Sequence, residues 1–445
     1  MLSILAFAMV ATFMTLIMTK RLSAMVALIL VPVVFAIIVA AMAGNFDVAE
    51  LGKMMMSGVK DLAPTGVMLV FGILFFGLMI DVGLFDPLIN VIVKIVHGDP
   101  VRILIGTAIL ALLVSLDGDG STTYMITTAA MIPLYRHMKM DLRMLAAITI
   151  MSGAVMNVLP WGGPTARVMT SLKLDASQVF VPLIPAMIAT AAWVIFVAWR
   201  FGLRERARLA KLPVDAVDED ASATTIIAED KASHVEARKP GLFWFNLILT
   251  AALLVGLVMG TLPLAIMFML AYAIAMTVNF PSLQDQRERV AAHAGNALAV
   301  AGLVFAAGIF TGILSGTKMV DAMSASVIAA IPQAWGPYMA PITAVISAPF
   351  TFFISNDAFY FGMLPILAET GAHYGATAAQ IGRASLVGQQ VHLLSPLVAS
   401  TYLLVGFVGI EFGELQRFTL KWATGSFVVF FIASVLTGVF PIITG

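Results

Sequence analysis

Two carboxylates, Asp117 and Asp119, alternate with Gly118 and Gly120 and run into the hydroxyls of Ser121 and Thr122, at the end of an apolar run that begins near Ile103. Carboxylate and hydroxyl oxygens beside glycine backbone can hold a cation, cap a helix or exchange a proton. An aspartate at the centre of a bilayer costs about 2.5 to 3.5 kcal/mol, so it persists where it faces a cavity, an ion or a partner. The glycines let the chain reverse there and present N–H and C=O groups to a ligand. The stretch is read as half of a binding site.

That argument needs an apolar solvent, and composition supplies one. Of 445 residues 60% are hydrophobic and 11% charged, which belongs to a multi-span membrane protein rather than to soluble domains. Its 25 basic and 25 acidic side chains cancel, so net charge offers no basis for a nucleic-acid partner. Zero cysteines exclude disulfides, iron–sulfur clusters and thiolate metal sites. The first apolar run is followed by Lys20 and Arg21 and has no small-residue cleavage pattern, so it reads as a retained span.

Apolar runs of helix-spanning length predict spans at 2–19, 22–43, 64–84, 143–171 and 179–200, then at 242–260, 262–280, 294–314, 377–406 and 418–439. Segments 101–136 and 337–367 each have an apolar arm, a polar break and a second arm too short to cross alone, and read as re-entrant hairpins. Basic residues gather at Arg102, Arg136, Lys139, Arg143 and the cluster 200–211, which places these loops in the cytoplasm. The first hairpin then enters from the cytoplasm and the second from outside.

Residues 210–240 mix acidic, small and basic residues without a period and read as a cytoplasmic linker. They divide an N-terminal unit, 1–209, from a C-terminal unit, 241–445. Each unit has five spans and a hairpin in one order, and five is odd, so the copies are expected to be inverted. Local matches pair Asp86 with Asp321 and Asn157 with His392. The predicted fold is an all-α polytopic membrane protein of two inverted repeats. Amphipathic stretches at 48–62 and 320–331 read as interfacial helices.

Four breaks gather the remaining chemistry. The second tip contributes Ser355, Asn356 and Asp357; the broken spans contribute Asn157, Gly162, Gly163, Thr165 and Arg167, and Gln390, His392 and Ser395. Proline and paired glycine free backbone groups that a cavity or ligand must satisfy, and inverted-repeat transporters bind substrate where such broken helices meet. Each residue also has a plainer reading. The three aspartates could cap hairpin helices. Arg167 could grip a substrate carboxylate in a bidentate contact, snorkel, or pair with an aspartate. His392 could be a proton carrier or a satisfied structural group. Asp81 reads as an interfacial carboxylate, and the 28 methionines as packing and lipid-facing residues.

The strings SLDGDGSTTYMITTAAMIPLY, MNVLPWGGPTARV and FGILFFGLMIDVGLFDPL resemble the CitMHS family, symporters of citrate complexed with divalent metal ions, and the likeness runs over most of the chain. The family belongs to the ion-transporter superfamily, whose dicarboxylate carriers have Ser-Asn-Thr at each hairpin tip. Here the tips read Asp-Gly-Ser-Thr at 119–122 and Ser-Asn-Asp at 355–357, so those carriers' sodium sites are not transferred. The resemblance implies a homodimer in a bacterial inner membrane, with a static scaffold and an elevator-like moving core that contains both hairpins. It implies no permanently bound cofactor and a divalent cation of the Mg2+ or Ca2+ type carried with the substrate.

The departure at the tips has a physical rationale. Asp117, Asp119 and Asp357 would repel a bare tricarboxylate but can coordinate one that brings its own cation. Each charge moved against the membrane potential involves about 2.3 kcal/mol per 100 mV, and a divalent metal reduces trivalent citrate to one negative charge. Two co-transported protons would then make the complex a net cation. Asp117, Asp119, Asp357 and His392 are the groups that could titrate. Two alternatives are a sodium-coupled di- or tricarboxylate carrier and, from another class, an intramembrane aspartyl protease using Asp119 and Asp357.

Overall fold

A computed structural model describes residues 2–19, 21–43, 47–84, 86–87, 98–118, 120–211, 240–259, 262–330 and 332–444. Residues 212–239, nearly all of the expected linker, lie outside the described residues, as does Asp119. Among the described residues all regular structure is helical. Five helical stretches are long and apolar enough to cross a membrane: Ala24–Met42, Val48–Asp81, Ala176–Leu209, Ala297–Gly316 and Phe412–Leu436. Shorter apolar helices accompany them, and large apolar side chains such as Leu30, Ile248, Leu270 and Ile432 face outward, as lipid-facing positions do.

The first half opens with α1 (Leu2–Met18) and α2 (Ala24–Ala43). Asp47 accepts the Ala49 N–H at 2.8 Å and starts α3 (Val48–Asp81). The stretch 48–62, expected as a separate interfacial helix ahead of a span at 64–84, is instead the first half of α3, with Pro64 inside the helix. A proline there removes one hydrogen bond and ordinarily ends a helix. Tertiary packing overrides it: α3 lies along α11 (Leu283–Gly316), each of 34 residues, and Gly58 faces Gly308 and Gly312. A Cβ on Gly58 would land on the Gly308 carbonyl oxygen. Gly58→Ala is therefore expected to force the two helices apart and destabilise the fold by about 1–3 kcal/mol, read as a lower unfolding temperature in detergent.

The same helix pair explains Asp81. Its Oδ2 accepts from His293 Nε2 at 2.9 Å and lies 3.4 Å from Arg289 Nη1, both on α11. The interfacial carboxylate thus has two partners on the neighbouring helix.

Segment 101–136 is α4 (Pro100–Val114), a 3-10 turn at Ser115–Asp117, Gly118 in the left-handed region, and α5 (Gly120–His137). At about 1.5 Å per residue, 15 residues reach only about three-quarters of the way across a ~30 Å hydrocarbon layer. The span expected at 143–171 is two helices, α6 (Leu142–Met156) and α7 (Gly163–Leu172), with a break between them. The span expected at 179–200 continues as α8 (Ile184–Leu209), whose last turn carries Arg206 and Arg208. Arg206 holds the Asp99 carboxyl below the usual carboxylate range, chiefly by hydrogen bonding. Glu205, buried, accepts the Asp141 N–H at 2.8 Å and is paired with Arg208. The ends of α4, α6 and α8 are thereby tied together.

The second half begins at Pro240. It runs α9 (Phe243–Met259), α10 (Leu264–Asn279), α11, the short α12 (Met319–Ala330) and α13 (Met339–Phe353). The amphipathic stretch at 320–331 is α12 with Met323 buried, while Ile331 lies outside the described residues. After α13 come a break, a π-helical stretch Ala358–Met363 and α14 (Leu364–His373), so the second arm runs past residue 367 to His373. The span expected at 377–406 is α15 (Ala378–Ser385), a 3-10 turn, a single helical turn Gln389–His392, a break and α16 (Ala399–Val408). The chain closes with α17 (Phe412–Leu436). One large apolar cluster joins α3 to α11 with α13 to α17, and a second joins α1, α2, α11, α12 and α14.

Candidate functional site

Every break in a helix leaves N–H and C=O groups without intrahelical partners, and the side chains placed there show how they are met. At the first tip, Gly118 has φ +79, and its N–H bonds to the Ser115 carbonyl at 3.1 Å. The neighbouring carbonyl, of Leu116, accepts Trp161 Nε1–H at 2.8 Å. Trp161 packs on Phe76 and Phe268, so an aromatic wall holds the first tip against the α6–α7 break. Gly120 and Thr122 open α5. The side chains of Asp117 and Ser121, like the whole of Asp119, lie outside the described residues.

In the first broken span Asn157 ends α6 and Gly162 caps α7, with Gly163 and Pro164 in its first turn. Thr165 Oγ1 donates to the Val158 carbonyl at 2.8 Å and so closes the break on itself. Arg167 points elsewhere. Its Nε donates to Asp357 Oδ1 at 2.6 Å, and the two side chains are 20% and 17% exposed. Of the readings open for Arg167, the structure has the pairing with an aspartate.

At the second tip Ile354 is extended, and Ser355 Oγ accepts the Ala358 N–H at 3.2 Å, a cap for the following helix. Asn356 Oδ1 accepts Gln389 Nε2 at 3.1 Å. Gln389, fully buried, also donates to Tyr360 Oη at 2.8 Å and accepts from Asn157 Nδ2 at 3.4 Å. Tyr360 passes its own proton to the Ser385 carbonyl at 3.3 Å. One amide therefore joins the first broken span, the second tip and the second broken span.

Beyond Gln389, His392 Nδ1 donates to the Thr351 carbonyl at 2.5 Å, which fixes the tautomer and leaves Nε2 as an acceptor in the neutral ring. Ser395 Oγ donates to the Phe352 carbonyl at 2.6 Å and accepts the Leu397 N–H. Both side chains stitch the second break to α13. Gln390 is different: at 2% exposure neither amide atom has a hydrogen-bond partner among the described residues. A buried amide without partners is costly, so a polar ligand or a water is what such a group can hold.

The structure thus brings Asn157 and Asn356 together on Gln389, with Asp357 next to Asn356 in the chain and paired with Arg167, while Thr165 and Ser355 serve the local backbone and Ser395 ties the second break to α13. No group of three His, Asp or Glu side chains converges among the described residues. Three residues central to this arrangement were missed at the level of sequence. Gln389 was masked by its twin Gln390, and Tyr360 by the apolar run around it. Trp161 had a readable signal, since a tryptophan between proline and two glycines inside an apolar span needs a partner for its N–H.

Helices broken at several points, with polar side chains converging on the breaks inside an apolar body, define a multi-pass membrane transport protein. The fold is shared with the YdaH transporter of Alcanivorax borkumensis, at TM-score 0.60, 16% identity and 87% of each chain, and with MtrF of Neisseria gonorrhoeae at TM-score 0.59, 15% identity, covering 88% of this chain and 85% of that one. The model of the CitMHS family, citrate transporters, matches residues 13–388, and the chain belongs to this family. It is 57% identical over 440 residues to a citrate transporter of Bacillus subtilis (strain 168), covering 99% of each chain. It is 47% identical over 446 residues to the Mg(2+)/citrate complex secondary transporter of the same organism, covering 99% of this chain and 100% of that one. The chain is a transporter and not an enzyme, which removes the aspartyl protease alternative.

Proposed function

We propose that this protein imports citrate as a complex with a divalent cation, coupled to protons, by elevator-type alternating access. The observation that carries the proposal is the Arg167–Asp357 pair, which sets a guanidinium for a carboxylate beside a carboxylate for a metal at a helix break. The relative named for the Mg(2+)/citrate complex supports the same substrate. In this proposal the metal ligands are Asp117, Asp119 and Asp357, and Gly118, Gly120, Ser121, Thr122, Gly162, Gly163, Asn356 and Gln390 are assigned to citrate binding. Asp117, Asp119, Asp357 and His392 share the proton role.

The two halves 1–209 and 241–445 are the proposed inverted repeats. Their element lengths support the pairing: helices of 17, 20 and 34 residues open the first, and helices of 17, 16 and 34 residues open the second. The protein is a homodimer of the bacterial inner membrane in this reading, with residues 210–240 in the cytoplasm and both hairpins in the moving core. Proteoliposomes with a set membrane potential and proton gradient test the proposal. Citrate uptake is expected to fall about ten-fold when the divalent ion is chelated, the equivalent of about 1.4 kcal/mol. Uptake that follows sodium and ignores magnesium and calcium overturns it in favour of a sodium-coupled carrier.

A further inference from the structure

We infer that the Arg167–Asp357 pair is an interlock that makes the carrier read both halves of a metal–carboxylate complex at once. This rests on the transport reading above and adds to it how the site rejects either component alone. Arg167 rises from the first turns of α7 and Asp357 belongs to the second tip, and their contact at 2.6 Å runs through Nε alone. That side-on grip leaves the two Nη nitrogens, the face of the guanidinium suited to a bidentate carboxylate, without a hydrogen-bond partner among the described residues. Gly163 makes room for that face, because a Cβ there would stand 2.8 Å from Nη1.

The consequence is a charge rule. The two charges satisfy each other in a site where each is about one-fifth exposed. A free carboxylate that takes the Nη face of Arg167 must sit near Asp357, so that two anions share one cation. A free divalent cation that takes Asp357 must sit against Arg167 and displace it into a poorly hydrated space. Both are penalised for the same reason that removing one member of a buried ion pair is. A ligand that brings an anion and a cation side by side replaces the pair with two new ones and leaves no charge unmatched. Gln389 and Asn356 hold the Asp357 side of this arrangement in place through neutral hydrogen bonds that do not change with the charge state.

Isothermal titration of the purified full chain tests the interlock with three probes: citrate in excess chelator, Mg2+ alone, and an equimolar mixture of the two. The wild type is expected to bind the mixture in strong preference to either component. Asp357→Asn is expected to bind metal-free citrate about ten-fold tighter than the wild type, and the mixture about ten-fold more weakly. Arg167→Gln is expected to bind Mg2+ alone about ten-fold tighter than the wild type. The double variant leaves no lone charge and guards against a single variant that does not fold; its preference for the mixture over free citrate is expected to fall about ten-fold. A wild type that ignores the mixture overturns the transport reading itself. A wild type that binds it, with Asp357→Asn or the double variant keeping the wild-type ratio, overturns the interlock alone.

Discussion

Gln389→Leu is expected to lower citrate uptake about thirty-fold, the equivalent of about 2 kcal/mol, with a fall in unfolding temperature. Leucine nearly matches glutamine in volume, so the change is electrostatic and not steric. It strands the acceptor Asn356 Oδ1 and the donor Asn157 Nδ2, and it takes from Tyr360 the donor now 2.8 Å away. An unmet buried polar group costs about 1–3 kcal/mol, but Asn157 and Asn356 are only half-buried and water recovers part of their loss. Tyr360 is fully buried and keeps only the Ser385 carbonyl. The site also loses the link by which the second tip is registered against both broken spans, so uptake is expected to suffer more than stability. Initial rates in proteoliposomes beside thermal unfolding in detergent separate the two. A rate within two-fold of wild type would show that the tip is held by other means.

The positions of the helix breaks were legible because they are local. Helices end at Val114, Met156, Phe353 and His392, next to glycines, prolines or polar residues that interrupt apolar runs. What failed was where a distant partner decides. Pro64 reads as a boundary, yet α3 continues through it because α11 packs along the whole length. Asp81 finds His293 on α11, a contact that nothing near residue 81 announces. The choice between Gln389 and Gln390 is a matter of helical phase, about 100° between neighbours, in a stretch where a 3-10 turn resets that phase. The sequence does not specify the partner of Arg167 for a related reason. An arginine beside a break can satisfy a ligand, a headgroup or a carboxylate, and which it meets depends on where a tip 190 positions away comes to rest.

Gly118→Val is expected to reduce uptake about a hundred-fold while leaving the protein folded, the equivalent of about 3 kcal/mol at the first tip. Two costs combine. At φ +79 a residue with a side chain loses about 1–2 kcal/mol, and a β-branched one stands at the upper end. The new Cβ would also lie 2.7 Å from Trp161 Cδ1, so the indole must move and release the Leu116 carbonyl, for about another 1–3 kcal/mol. The damage stays local because α4 keeps its Asp99 cap and its tie to Arg206 at the far end of the helix. Trp161→Phe separates the two costs. It keeps an aromatic ring against Phe76 and Phe268 and loses only the N–H, so a smaller, roughly ten-fold fall is expected from one lost hydrogen bond. If Gly118→Val transports as well as the wild type, the left-handed turn does not shape the site. If Trp161→Phe falls as far as Gly118→Val, the hydrogen bond to Leu116, and not the turn's handedness, is what holds the tip closed.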